Sequence, residues 1–108
     1  MKSVLMEFFE AENQRDWVKY RQYISPNIVW ELHSPHNNKT IVGADNYIAY
    51  MQDVYEKYNN TFCVETLLAN ESETRIVAIL VNNLGEKSCD VFEFEDGVIV
   101  REYEFILD

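Results

Sequence analysis

The sequence predicts a single α+β domain in which helices cover one face of a strongly curved sheet, with elements in the order ααβαββββ. Three observations lead there. Residues 89–106 place two alternating apolar and polar runs around Asp96-Gly97, the pair that most strongly signals a tight β-hairpin. Helical periodicity is confined to the chain before Asn59, and everything after it reads as strand and turn. Residues 76–81, Ile-Val-Ala-Ile-Leu-Val, are apolar on both sides, as expected of a central strand covered on both faces.

In chain order, Val4, Leu5, Phe8, Phe9 and Ala11 form an apolar helical stripe over residues 3–12. The pattern breaks at Asn13-Gln14-Arg15, and Asp16, a good N-cap residue, either opens a new helix or kinks one long helix. The next helical stretch carries Trp17, Tyr20, Tyr23 and Ile24, and Ser25-Pro26-Asn27 is expected to stop it, because proline removes a donor and restricts its predecessor. Residues 28–33 read as a short strand and residues 34–40 (SPHNNKT) as a loop leading through Ile41-Val42-Gly43. The cleanest periodicity lies in residues 45–58, where Tyr47, Ile48, Met51, Val54, Tyr55 and Tyr58 share one stripe. Strands follow at residues 61–69 and 75–82, joined by short polar turns that imply sequential antiparallel pairing.

In the hairpin, Asp90, Phe92 and Phe94 share one face of the first run. On the second run Ile99, Arg101, Tyr103 and Phe105 oppose Val98, Val100, Glu102, Glu104 and Ile106, and parity alone leaves the buried set open. A curved sheet roofed by helices encloses a concave, mostly apolar cavity, the usual place for a small ligand.

At 108 residues the chain suffices for one core and not for two, so residues 1–108 are expected to form one domain. Nineteen acidic residues against nine basic ones leave a net charge of -10, which repels phosphate backbones and anionic lipid. Nucleic acid and membrane surfaces are therefore poor partners. No apolar run approaches a membrane span, and the expected location is the cytoplasm. Cys63 and Cys89 fall inside predicted strands and are expected to be reduced, buried thiols. The apolar surplus of residues 76–81 on both strand faces predicts a homodimer, since helices can cover only one of them.

Order and local strings together resemble the nuclear transport factor 2-like superfamily, which includes SnoaL-like polyketide cyclases and ketosteroid isomerase. The carriers are the helix break at Arg15-Asp16-Trp17, Asn27-Ile28-Val29-Trp30 before a proline loop, Gly43 before the next helix, and Asp90 to Gly97 followed by Ile99 and Glu102-Tyr103-Glu104. The resemblance covers essentially the whole chain and implies a cone-shaped, cystatin-like α+β barrel. It also implies that Asp90 stands where ketosteroid isomerase has a protonated aspartic acid that donates to the developing oxyanion. The isomerase's general base falls near Leu32 and its oxyanion tyrosine near Phe8, so steroid isomerisation is not expected. The acid/base aspartate of SnoaL-like cyclases corresponds to Glu104 after Tyr103, an alignment that turns Val100, Glu102, Glu104 and Ile106 toward the cavity.

On that basis Asp90 and Glu104 are the expected acid/base pair, because two carboxyls in an apolar cavity resist ionising together. His33 is a candidate acid/base at the cavity mouth, and H-x-x-H at His33 and His36 is poor metal geometry without a third ligand. Trp17, Tyr20, Trp30, Leu32, Tyr50, Phe92, Val100 and Glu102 are the candidate ligand-binding residues, the aromatics serving as flat walls for a ring-shaped ligand. No phosphate loop, dinucleotide fingerprint, nucleophile elbow or zinc spacing occurs, so no metal or organic cofactor is expected. The function expected is binding of a small apolar molecule, neutral or cationic, with cofactor-independent isomerase, cyclase or dehydratase-like chemistry. The alternative is a non-catalytic binding or dimerisation domain whose cavity is plugged by its own aromatics.

Overall fold

The first helix, α1 (Lys2–Asn13), buries Leu5, Phe8, Phe9 and Ala11, the stripe legible in the sequence, and with them Glu12. In this computed structural model, which describes residues 1–107, Arg15 takes a left-handed φ of 60° and turns the chain out of α1. Asp16 then caps a separate helix, α2 (Trp17–Arg21), its carboxylate accepting from the Lys19 backbone N–H at 3.1 Å. Asp16 thus opens a new helix rather than kinking one long helix.

Helix α2 ends sooner than its apolar spacing suggests. Ser25-Pro26-Asn27 does not stop a helix but lies within strand β1 (Ile24–His33). Proline is tolerated because β1 loses register with its neighbour β6 (Val98–Ile106) between Ile24 and Val29, so no ladder bond is sacrificed. Beyond His33 the expected loop shrinks to residues 34–37, where the Ser34 hydroxyl accepts from the Asn37 N–H at 2.9 Å. The rest of that segment forms a short additional strand, β2 (Asn38–Val42), antiparallel to β1. Its polar composition suits an edge strand, which is why it reads as loop.

Gly43 (φ 95°) is a corner that only glycine occupies without strain, and it opens α3 (Ala44–Lys57). Tyr47, Ile48 and Met51 of α3 are buried against the sheet. Strands β3 (Phe62–Ala69), β4 (Arg75–Asn82) and β5 (Lys87–Glu95) follow, and the six-stranded order is β2-β1-β6-β5-β4-β3. All neighbours are antiparallel except β1 and β6, which run parallel. The α+β class and the expected elements stand, on an open, curved sheet.

Asp96 (φ 51°) and Gly97 (φ 79°) make the two-residue hairpin turn, both central residues left-handed as a type I′ turn requires. Past that turn the alternation slips. Glu93 pairs with Arg101 and Phe94 with Ile99, leaving Val100 as the extra residue of a β-bulge. A second bulge at Glu65 in β3 and the break in β1 add to the bend, since each increases local twist.

Ile76, Ala78, Phe92, Phe94 and Ile99 face α1 and α3 and are buried, each contributing about 1–3 kcal/mol by its removal from water. The cysteines belong to the other face: Cys63 is exposed and Cys89 half-buried, which corrects the expectation of buried thiols. The reason is strand parity, since Cys89 alternates with inward-facing Asp90. No helix among the described residues is long and apolar enough to cross a membrane.

Candidate functional site

The hairpin of β5 and β6 brings Asp90 and Glu104 directly opposite one another, and pairs Phe92 with Glu102. Opposed residues of an antiparallel pair project to the same face, so the carboxyls converge. An oxygen from each of Asp90, Glu102 and Glu104 lies within 4.8 Å of the other two. On the far side of β6, Trp30 neighbours Glu102 and Leu32 neighbours Glu104. These side chains line a cavity of about 400 Å³ closed above by Phe9 and Glu12 of α1 and by Tyr50, Met51 and Tyr55 of α3.

Asp90 and Glu102 are 3% and 4% exposed, and no cation pairs with either among the described residues. Burial pushes the Asp90 carboxyl well above its usual range, and the charges of Glu104 and Glu102 push the same way. The Ser88 hydroxyl, donating to Asp90 Oδ1 at 2.7 Å, opposes them. Burial, then the Glu104 charge, raises Glu102 despite the Tyr47 hydroxyl that donates to its Oε1 at 2.5 Å. Glu104 is pushed up to about 7, first by burial and then by Glu12. Trp30 is 2% exposed, and its indole N–H approaches Glu102 and Glu104 and favours their ionisation without closing a hydrogen bond. Carboxylate oxygens this close can also meet on one hard cation, a task that needs them ionised. Burial works the other way, favouring the protonated carboxyl.

Nearby positive charge is engaged elsewhere. Arg15 lies over the Tyr55 ring, 3.7 Å from its centroid, and donates to the Asn60 carbonyl at 2.6 Å. Lys87, at the cavity mouth, is 2.8 Å from Glu65.

Residues 5–102 match the SnoaL-like domain family. The chain belongs to that family. Among solved structures, a protein of unknown function with a cystatin-like fold from Methylobium petroleophilum superposes with a TM-score of 0.84 at 14% identity, covering 99% of this chain and 75% of that one. A proposed ketosteroid isomerase from Kribbella flavida gives 0.79 at 22% identity (98% and 76% covered). A proposed polyketide cyclase from Xanthomonas campestris gives 0.78 at 16% identity (96% and 87% covered). At such identities the likeness is one of fold. No curated protein sequence matches the chain.

In this SnoaL-like domain Asp90, Glu104, Glu102, Trp30, Leu32 and Tyr50 all line the cavity. Five other candidates lie elsewhere. Phe92 and Tyr20 are wholly buried in the core, Phe92 edge-on to Phe8 and Phe9, and Tyr20 stacked on Phe8. Trp17 packs edge-on against Tyr20 outside the cavity, because α2 lies beside α1 rather than over the sheet opening. Val100, the bulge residue, turns with Arg101 into a groove on the opposite face. His33 also faces away: it alternates with inward Leu32, stacks on Phe105 at 4.9 Å between ring centroids, and sits 3.4 Å from Glu31. It does not line the cavity.

Sequence reasoning passed over Glu12, Tyr47 and Tyr55. Glu12 accepts from the Tyr20 hydroxyl at 3.1 Å and from the Tyr55 hydroxyl, and it lines the cavity while 9% exposed. A signal existed. Glu12 stands four residues after Phe8 and seven after Leu5, on the apolar stripe of α1 itself.

Proposed function

We propose that this SnoaL-like domain binds a small neutral molecule with an apolar body and moves a proton on it, Glu104 acting as base and Asp90 as acid. One observation carries the reading: the two carboxyls are register partners inside a cavity whose one lining cation among the described residues, Lys87, is held by Glu65. Their environments divide the labour. The two carboxyls resist ionising together, so near neutral pH Glu104 is poised to accept a proton while Asp90, raised by burial and by the Glu104 and Glu102 charges, keeps one to donate. The matching reactions abstract a proton beside a carbonyl and return it elsewhere, as in isomerisation, cyclisation or dehydration. A cationic ligand is also compatible with the cavity, whereas an anionic one meets uncompensated repulsion. The competing reading, a cavity plugged by its own aromatics, is disfavoured by the open space of about 400 Å³.

The test needs no natural substrate. A panel of neutral cyclic ketones and enones in D₂O is followed by NMR for deuterium entering the carbon next to the carbonyl. The wild type is expected to accelerate exchange for a subset that binds. Binding without any enzyme-dependent exchange would leave a non-catalytic binding domain.

We also propose that a second copy covers the sheet's outer face. Leu68, Val77, Val91 and Tyr103 form a cross-strand row there, and Ile79, Cys89 and Phe105 the next. Leu68 is 62% exposed and Phe105 39%. Light scattering at micromolar concentration should give twice 12.8 kDa, and a species of 12.8 kDa alone would refute the dimer.

A further inference from the structure

Two tyrosines join the buried carboxyls at opposite sides of the cavity into one chain. Tyr20 Oη lies 3.1 Å from Glu12 Oε1, Tyr20 Oη lies 2.8 Å from Tyr47 Oη, and Tyr47 Oη lies 2.5 Å from Glu102 Oε1. Tyr55 Oη bonds the other oxygen of Glu12. Tyr20 and Tyr47 are both completely buried, so water does not interrupt the chain. Counting hydrogens is decisive. There are four oxygen–oxygen links, and the three tyrosine hydroxyls supply three hydrogens. A link with no hydrogen would set lone pairs against each other in a medium that penalises unpaired polar atoms. The fourth hydrogen must come from a carboxyl, either Glu12 or Glu102.

We propose that Glu12 and Glu102 share one proton through Tyr20 and Tyr47, so that Glu12 takes negative charge off the cavity's carboxyl cluster. The two arrangements are mirror assignments of the same atoms. With the proton on Glu12, its O–H donates to Tyr20, Tyr20 to Tyr47, and Tyr47 to ionised Glu102. With the proton on Glu102, every arrow reverses. Interconversion breaks three O–H bonds and forms three, carrying one proton from Glu12 Oε1 to Glu102 Oε1 and one negative charge back, with no change in total charge. Neither tyrosine becomes a free phenolate, in keeping with burial and neighbouring carboxylates that hold both well above the ordinary phenol range.

The charged and titratable groups around the two ends differ. Glu12 faces Tyr20 from α2, Tyr55 from α3 and Arg15 from its own helix end. Glu102 faces Tyr47 from α3, Trp30 from β1, Asp90 from β5 and Glu104 beside it on β6. At Glu12 burial raises the carboxyl and the Tyr55 and Tyr20 hydroxyls and Arg15 oppose it, whereas at Glu102 burial and the Glu104 charge together favour the neutral form more strongly. Ionisation of Glu104 or Asp90 during a proton transfer tightens that bias, pulling the shared proton toward the cluster. The inference rests on the acid–base reading for its use, and on the hydrogen count alone for its existence.

The test is a carboxyl ¹³C NMR titration of ¹³C-glutamate-labelled protein without ligand, comparing wild type, Tyr20→Phe, Tyr47→Phe and Tyr55→Phe. Each change swaps a neutral side chain for a neutral one. If the proton is shared, each relay variant moves the glutamate it does not touch: Tyr20→Phe shifts the Glu102 midpoint and Tyr47→Phe the Glu12 midpoint, by about one pH unit or more. Tyr55→Phe, which removes a donor to Glu12 but leaves the relay intact, raises Glu12 and, because the proton is shared, moves Glu102 the opposite way. Remote midpoints unmoved in whichever relay variant folds, or a Tyr55→Phe change that moves Glu12 alone, would overturn the proposal. Failure of the acid–base reading would appear only in the deuterium exchange assay and leave these curves untouched.

Discussion

Glu104→Gln is expected to lower enzyme-dependent deuterium exchange by about 10²–10⁴-fold, the usual contribution of a positioned general base. Asp90→Asn should cost a comparable factor, since an amide can still donate a hydrogen bond to a developing oxyanion but has no proton to surrender. The wild-type rate should rise with pH through about 7, because Glu104 must be ionised to act as base. It should fall again at higher pH once Asp90 releases its proton. A Glu104→Gln variant that keeps the wild-type rate within tenfold, or a rate independent of pH across neutrality, would remove Glu104 from the chemistry.

The same substitution should make the protein more stable. In the folded chain Glu104 is raised from 4.5 to about 7, so between those values the native state holds a proton that the unfolded state has released. Stability therefore falls as pH rises through that window, and the cost is complete above it. The shift corresponds to at most about 3 kcal/mol, and because Glu104 is half-buried rather than sealed, about 2 kcal/mol is expected back at pH 8 from glutamine. For a domain of this size that raises the melting temperature by about 8 °C. At pH 4 the carboxyl is protonated in both states and the gain should vanish. Melting curves at the two pH values decide it; a variant that melts lower at pH 8 would mean that the native fold favours the carboxylate. Loss of activity with gain of stability is the mark of a group kept for its chemistry.

Much of this fold is written in local patterns. Asp96-Gly97 fixed the hairpin, the β5 and β6 alternation placed Asp90 among phenylalanines, and the stripe of α3 needed no neighbour to be read. Other features depend on contacts distant in sequence. Pro26 reads as a helix stop because nothing nearby shows that β6 leaves its missing donor unneeded. β2 is too short and polar to declare itself, and exists because β1 offers it an edge. The site divides in the same way. The hairpin sets Asp90 and Glu104 near one another, but parity leaves the inward face of β6 open; the alignment that turns Glu104 toward the cavity turns Val100 there too, because it cannot see the bulge between them, and His33 reads as a cavity-mouth residue although it alternates with inward Leu32. Glu12 shows a different failure: its spacing was plain, but an acid on an apolar stripe looks like noise until Tyr20 and Tyr55 arrive from other helices to satisfy it.

The bulge at Val100 gives β6 something like a reading frame. Ahead of it Ile99 points inward, and behind it Glu102, Glu104 and Ile106 do, a combination that strict alternation forbids. Flattening the bulge with every residue kept, while the turn and Ile99 hold their places, would swap the inward set for Arg101, Tyr103 and Phe105, exchanging an acid-walled chamber for one with a guanidinium and two rings, whereas excising Val100 would leave Glu102 and Glu104 inward. The bulge, as much as side-chain identity, thus sets the polarity of this chamber. Two domains of this fold can build the same acidic wall from carboxylates one position out of step, provided one has the bulge and the other lacks it, and aligning their letters column by column would hide the equivalence.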